Sequence, residues 1–474
     1  MRASPSCTPL VFYLSPRSEF LARYMKLLVA LSLVYSAMTS APVSAQTAGQ
    51  NVNMVSGTGW TNGDPFLERQ NEPSIAVSTR NSSHLFGASN DYRSVDLPGL
   101  LGIDERGDAW LGVYKSFDGG LTWQSTLLPG FPLDASPEGT ASPIHGRQAA
   151  ADPLVRAGSN GLFFLTGLAF DRGTAPLSKV FISRFIDLNN KENGDAAKEN
   201  GALTNLAPRD PVKYIDTHII DTGSANRFLD KPWVAVDIPR GRATCTVSAN
   251  EDGNTVTQKI PAGTIYVTYT AFTTVGTVQN SQILFRRSAD CGVSWSKPIV
   301  LSQSDEFRGQ PEAEGQGTVI AIDPSVSANE PARIYVAWRV FAASGDPDDA
   351  NQIMVAKSAD GGLSFDEPET AVKFPLSCNK APSGVGCPFD QGTTGTSFRS
   401  NGYPGLTVDN AGRIYLAWSQ RDANGDGRIM MAVTNRLESW PKSNFTEIDS
   451  GPVYDDYGAA FSGLSNRGSS SCPL

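Results

Sequence analysis

The sequence predicts an all-β chain folded as a β-propeller of four-stranded blades, and three observations predict it. An eight-residue turn phrase occurs three times, each copy after a strand-like run. Five inner-strand phrases recur along the chain, each followed by a polar turn and a second strand. The composition is loop-rich, with 45 Gly and 31 Pro in 474 residues and only 18% charged residues. Length alone would suggest three domains at ~150 residues each, but each repeat is one unit of a larger domain. Four-stranded units at roughly 70–100-residue spacing suit radial blades. A parallel β-helix would need shorter repeats, and a sandwich would not repeat a turn phrase.

The turn phrase is Ser116-Phe117-Asp118-Gly119-Gly120-Leu121-Thr122-Trp123. It returns as Ser288-Ala289-Asp290-Cys291-Gly292-Val293-Ser294-Trp295 and as Ser358-Ala359-Asp360-Gly361-Gly362-Leu363-Ser364-Phe365. Asp accepts hydrogen bonds from the amides that follow it, and Gly supplies positive φ without steric cost. The closing aromatic is an apolar anchor beside the turn. Each copy follows a third strand: Trp110 to Lys115, Gln282 to Arg287, and Gln352 to Lys357. Two further third strands, Lys179 to Ser183 and Arg428 to Val433, lead into degenerate turns.

The inner strands begin at Pro73, Pro153, Pro232, Thr318 and Pro404, and the second strands near Leu85, Leu162, Ile265, Ile334 and Ile414. The best second strands, such as Ile334-Tyr335-Val336-Ala337-Trp338, alternate apolar positions and are rich in aromatic and β-branched residues. This gives five recognisable blades. After Trp440 the chain ends in a Gly- and Ser-rich stretch, so either the propeller is a five-bladed variant or the chain is truncated or frameshifted within a last blade, the second being favoured. The segment 46–69 is a candidate to complete that blade, 70–450 is the propeller, and 451–474 is an irregular tail.

Loop lengths identify the working face. Turns between first and second strands are short (79–83, 157–161, 410–413), as are the repeated turns, and both sets lie on one face. The other face receives the long segments 87–109, 125–152, 188–231, 302–317 and 373–403. Long loops on a rigid scaffold are where binding and catalysis concentrate. Its polar residues are the candidates: Arg69, Glu72, Asn90, Asp91, Arg93, His145, Arg147, Asp152, Asp230, Lys231, Arg308, Glu312, Glu314, Arg339, Arg399, Tyr403 and Arg421. Each alone reads as a solvated or ion-paired loop residue. As a set they ring the mouth of the propeller.

Met25-Lys26, the apolar run from Leu27 to Val34 and the small residues ending Val43-Ser44-Ala45 read as a secretory signal over 25–45. Residues 1–24 then precede the natural start. The apolar run is well short of the ~20 residues of a membrane span, so no span is expected after cleavage, and the chain is expected to be secreted or periplasmic. Residues 1–45 hold Arg2, Arg17, Arg23 and Lys26 against Glu19, so removing them takes the net charge from −9 to −12 (−9 − 3). That balance argues against nucleic acid. It also gives no long-range steering of an anionic sugar, which would need a local Arg cluster. No Cys/His spacing suggests zinc, and no cofactor is expected. Asp422 to Gly427 has the oxygen spacing of a calcium loop, but its twelfth position is Val433 rather than Glu, so it reads as a polar hairpin tip. Of the five cysteines beyond residue 45, Cys378 with Cys387 is the first candidate disulfide and Cys245 with Cys291 the second, leaving Cys472.

The turn phrase resembles the Asp box, or bacterial neuraminidase repeat, of the sialidase superfamily. The resemblance implies six blades, with Asp boxes that are structural and lie on the face away from the active site. It further implies an Arg triad, an Asp acid/base and a Tyr nucleophile assisted by Glu. On this chain Arg339 matches the family's Arg at the end of a second strand, Asp91 is a candidate acid/base, and Glu312 or Glu314 a candidate partner for a Tyr. Tyr454 and Tyr457 are the late tyrosines. The family's Arg-Ile-Pro phrase is absent; Arg209-Asp210-Pro211 comes after the first Asp box. Two functions follow. The first is recognition, in which the mouth binds a glycan or a protein without chemistry. The second is a sialidase-like exo-glycosidase that removes terminal sialic acid or a related sugar.

Overall fold

The computed structural model divides the chain into Met1–Asn51 and Val52–Leu474. It describes residues 52, 54–55, 70–92, 109–173, 176–188, 210–251, 254–275, 278–302, 314–341, 351–374, 388–390, 397–399, 402–421, 427–435, 439–441 and 445–448. All of these belong to the second unit. The five expected blades are present as five four-stranded antiparallel sheets, each a meander in chain order. Sheet one is β1 (Gln70–Val77), β2 (Leu85–Asp91), β3 (Trp110–Ser116) and β4 (Gln124–Leu127). After a short helix, α1 (Pro137–Ala141), sheet two is β5 (Ala149–Ala157), β6 (Leu162–Phe170), β7 (Ser178–Asp187) and β8 (Val212–Thr222). Sheet three is β9 (Arg227–Glu251), β10 (Asn254–Val275), β11 (Val278–Ser288) and β12 (Ile299–Val300). Sheet four is β13 (Glu314–Ile322), β14 (Ile334–Phe341), β15 (Asn351–Ser358) and β16 (Glu369–Phe374). A two-stranded pair, β17 (Pro388–Asp390) and β18 (Ser397–Arg399), precedes sheet five, which is β19 (Gly405–Val408), β20 (Arg413–Arg421), β21 (Gly427–Asn435) and β22 (Thr446–Glu447).

The first strands of successive sheets lie against one another in chain order, β1 to β5, β5 to β9, β9 to β13 and β13 to β19. Four apolar clusters fill the spaces between successive sheets. Strand period explains how one sheet serves two clusters. On β6, Phe163 and Leu165 join the cluster shared with sheet one, while Leu162 and Phe164 join the one shared with sheet three. All nine residues of β6 are accordingly buried. Buried on both faces, it reads as the near-continuous apolar run Leu162-Phe163-Phe164-Leu165. Sheets three and four meet over Tyr266, Phe285, Ile334 and Trp338, and sheets four and five over Tyr335, Ile353, Ile414 and Trp418.

Each repeated turn folds as its chemistry requires. Ser358 Oγ donates to Asp360 Oδ1 at 2.8 Å, and the Ser364 amide and hydroxyl donate to the same carboxylate at 3.0 and 2.5 Å. The copies at Asp118 and Asp290 repeat these bonds. Burial works to raise the pKa of Asp360, but the bonds from Ser364 and Ser358 outweigh it and bring it to about 2. These carboxylates are spent on holding turns.

Sheet three departs from the short-turn pattern. Beyond the Gly263↔Pro239 pair, β9 and β10 run on as a hairpin, from Thr244↔Pro261 to Glu251↔Asn254. Val247, Ala249, Ile260 and Ala262 of this arm are buried in the cluster between sheets two and three. Its outer positions reach the earlier sheets: Arg80 Nη2 donates to Gln258 Oε1 at 2.5 Å and Ser159 Oγ to Pro261 O at 2.5 Å. A disulfide joins Cys245 on the arm to Cys291 in the second of the repeated turns. This is the second of the two expected pairings; Cys378 and Cys387 lie outside the described residues. Cys291 sits at φ 58°, where the other two turns have Gly119 and Gly361 at 78° and 75°. The disulfide thus holds a left-handed position that elsewhere takes glycine.

Candidate functional site

In a meander the start of the first strand and the end of the second share one edge, and the turn between third and fourth strands lies at the other. The repeated turns of sheets one, three and four are therefore at one end of their sheets, and Glu72, Asn90, Asp152, Asp230, Lys231 and Tyr403 at the opposite, loop-rich end. The first strands carry the same irregularity there. Register slips between Asn71 and Ser74, between Ala151 and Leu154, opposite Thr268–Thr270 on β9, and between Gln316 and Val319. At each slip one residue is left-handed: Glu72 (φ 54°), Asp152 (58°), Lys231 (47°) and Gly317 (70°). A bulge re-aims a side chain, and non-glycine residues in this region are strained and cluster at functional sites. The strain is imposed where the chain reads Glu72-Pro73, Asp152-Pro153 and Lys231-Pro232.

The re-aimed side chains converge although they lie far apart in sequence. Lys231 Nζ is 2.7 Å from Glu72 Oε1 and 2.8 Å from Asp152 Oδ1. The two carboxylates thus share one ammonium. Asp230 accepts from Gln316 Nε2 at 2.5 Å, and Gln316 Oε1 accepts from Tyr403 Oη at 2.9 Å. Asn90 accepts from the Asp152 amide at 2.9 Å and donates to Asn71 Oδ1 at 2.7 Å. One polar network thus takes side chains from the mouth ends of sheets one to four and from Tyr403, immediately before sheet five. Among the described residues no three His, Cys, Asp or Glu groups are placed to hold a metal ion; the cation among these carboxylates is Lys231.

The network is electrostatically uneven. Burial, reinforced by the neighbouring Asp152, raises the Glu72 pKa against the pull of Lys231. Burial raises Asp230 as well. Burial also acts to lower Lys231, but Asp152 and Glu72 outweigh it and push it up. Tyr403 is pushed up to about 12 by burial first and then by the three carboxylates, against Lys231. It is a neutral phenol that donates to Gln316, not a phenolate.

Other expected residues go elsewhere. Arg339 is enclosed: Nη1 donates to Gly402 O at 2.8 Å, Nη2 to Asn351 Oδ1 at 3.0 Å, and its guanidinium lies over Phe341 and Phe374. Burial brings its pKa down to about 10. Asp91 is fully buried and accepts from Tyr114 Oη at 2.8 Å. Arg147 pairs with Asp171. The amide of His145 donates to Ser142 O. Arg69, Arg93, Arg308, Glu312, Tyr454 and Tyr457 lie outside the described residues, as do the side chains of Glu314, Arg399 and Arg421. Asn71 and Gln316 escaped the sequence reading. Their signal was positional, since each stands just before the left-handed residue of its inner strand.

Gly317 sets the position of Tyr403. A Cβ there would stand 1.8 Å from the Tyr403 ring, on a backbone at φ 70°. Gly317→Ala is expected to break the Tyr403–Gln316 bond and cost about 1–3 kcal/mol, as overpacking does. Denaturant unfolding and the Tyr403 ring resonances check this; an unshifted ring at full stability would contradict it.

No family model and no curated protein matches this chain. Among solved structures, a mutant of the α-L-arabinofuranosidase Arb93A from Fusarium graminearum, in complex with an iminosugar inhibitor, is similar over 81% of this chain and 82% of its own. It has a TM-score of 0.42 and 11% identity. An endo-arabinase from Bacteroides thetaiotaomicron is similar over 82% and 96%, with a TM-score of 0.32 and 15% identity. A protein of unknown function from Dyadobacter fermentans is similar over 76% and 78%, with a TM-score of 0.34 and 14% identity.

Proposed function

We propose that the loop-rich mouth recognises a glycan at the Glu72–Asp152–Lys231 cluster and its extension through Asp230, Gln316 and Tyr403. The observation that supports this is convergence. Strained, bulged positions in three sheets aim charged side chains at one place, and an amide and a phenol continue the row. Sugar hydroxyls both donate and accept. A rigid row of carboxylate acceptors with amide and phenol groups suits them, and a few convergent polar groups fix a ligand's orientation.

The sugar is neutral in this reading. An anionic sugar favours convergent guanidinium forks. At this cluster the cation, Lys231, already faces two carboxylates. Sialic acid therefore fits less well than a hexose or pentose end. A protein ligand is the remaining form of the recognition reading. The test is calorimetric titration of neutral and sialylated oligosaccharides into the folded protein and Asp152→Asn. Binding of the neutral set, weakened about tenfold or more by the substitution (~1.4 kcal/mol), is expected. Binding of the sialylated set alone would sink the neutral-sugar reading.

The second reading, an exo-glycosidase, draws on Glu72. A carboxyl whose pKa burial raises, set beside a second carboxyl, is a general-acid arrangement. However, Glu72 and Asp152 both bind the Lys231 ammonium, at 2.7 and 2.8 Å, so a cation rather than a scissile bond occupies the space between them. Hydrolysis would thus need Asp230 or a residue of the long loops as the second carboxylate. Turnover of fluorogenic glycosides, abolished in Glu72→Gln, would establish it.

The Cys245–Cys291 disulfide suits an oxidising compartment, in keeping with export by the signal read at 25–45 to the periplasm or the medium. No helix among the described residues is long and apolar enough to cross a membrane.

A further inference from the structure

A second group of polar side chains lies on the same inner strands, toward the Asp-box side of the mouth cluster. Arg156 is four residues along β5 from Asp152, and Trp233 two residues along β9 from Lys231. The Arg156 guanidinium carbon stands 5.2 Å from the centre of the Trp233 ring, within the range of cation–π attraction. Trp233 is itself fixed, packed against the clusters of sheets three, four and five.

Two features of this pair are unspent. Arg156 Nη1 donates to Val155 O at 2.8 Å. Among the described residues its guanidinium meets no carboxylate and bonds to no other acceptor. Most described arginines differ: Arg184, Arg227, Arg240, Arg333 and Arg413 each face an Asp. Second, the Trp233 Nε1–H is buried with no acceptor. Burial lowers the Arg156 pKa with nothing to oppose it, the mark of a cation without a counter-ion. A stacked, pre-organised fork is the form in which arginine recognises carboxylates and phosphates.

We propose that Arg156 and Trp233 form a binding site for an oxyanion, a carboxylate or phosphate group, between the innermost strands of sheets two and three. The anion accepts from the guanidinium N–H groups that Val155 O leaves unbonded, and the Trp233 ring holds the fork in place. The site stands apart from the mouth cluster and does not depend on the glycan reading. If the mouth takes neutral sugars, this site would hold an acidic group carried on a second ligand.

The test is thermal unfolding of the protein at fixed ionic strength with inorganic phosphate, glucuronate or glucose. Wild type, Arg156→Gln, Arg156→Lys and Trp233→Phe are compared. Phosphate, glucuronate or both are expected to raise the wild-type midpoint, and which of them does so identifies the source of the oxyanion. Arg156→Gln is expected to abolish the rise, and Arg156→Lys, which keeps the charge without the fork, to weaken it about tenfold in concentration. Trp233→Phe, which weakens the stacking that orients the fork, should weaken it too. No rise with either oxyanion, or a rise that survives in Arg156→Gln, would overturn the site. If Arg156→Gln does not fold, equal responses of wild type and Arg156→Lys would overturn it. Glucose carries no oxyanion, so failure of the mouth reading leaves this outcome untouched.

Discussion

Removing the Cys245–Cys291 disulfide lowers the free energy of unfolding by about 4 kcal/mol, on the chain-entropy estimate for the 46-residue separation it closes. The substitution pair to use is Cys245→Ser with Cys291→Gly. Glycine restores what the other two Asp boxes carry at this left-handed position, so the loss is not confused with backbone strain. The effect is also local. Without the crosslink the arm from Thr244 to Pro261 is held by its apolar face and by the Arg80–Gln258 and Ser159–Pro261 bonds. Hydrogen exchange along 244–261 is expected to rise before the rest of sheet three opens. Unchanged stability and exchange would mean that the arm is held by packing alone.

Lys231→Met is expected to have the second-largest effect. Removing one partner of a buried ion pair costs about 3–5 kcal/mol. The side chain of Lys231 is 26% exposed and that of Glu72 44%, so solvent screening reduces this to about 2–3 kcal/mol. The pH dependence has a definite sign. The Lys231 pKa is raised on folding, so its contribution is complete below the ordinary lysine value of 10.5 and is lost as pH rises through the higher folded value. Glu72 is also raised from its ordinary 4.5, and for a carboxyl this means that folding favours the protonated form. Stability from Glu72 therefore declines as pH climbs from 4.5 through the folded value. Glu72→Gln, which mimics the protonated form, is expected to be neutral or stabilising above that range while weakening ligand binding. Urea unfolding across pH 4–11 measures both; a Lys231→Met protein as stable as wild type throughout would contradict the network.

The blades were legible because each repeats its own local chemistry. The bonds of the repeated turns are made within eight residues, and the near-continuous apolar run of a strand such as Leu162–Phe170 shows that both its faces are buried. The mouth was legible in outline, since Glu72, Asp152, Asp230, Lys231 and Tyr403 all stand at the starts of inner strands. Their meeting was not, because Lys231 and Glu72 are 159 residues apart and only the arrangement of the sheets brings them together. Arg339 shows the converse. It ends a strand as a mouth ligand would, but Phe341, Phe374 and the Gly402 carbonyl close around it. The arm had a signal that blade spacing obscured. Two β-branched runs, Thr244 to Val247 and Thr255 to Thr257, flank Asp252-Gly253, which is a hairpin pattern.

The central claim is that ligand binds at the loop-rich end, over Glu72, Asp152, Lys231 and Tyr403. A crystal structure of the protein soaked with a neutral oligosaccharide that it binds in solution tests this most directly. A sugar ring with hydroxyls on the Glu72 and Asp152 carboxylates is the predicted result. A sugar seated on the Asp-box face, along the arm from Thr244 to Pro261, would contradict it.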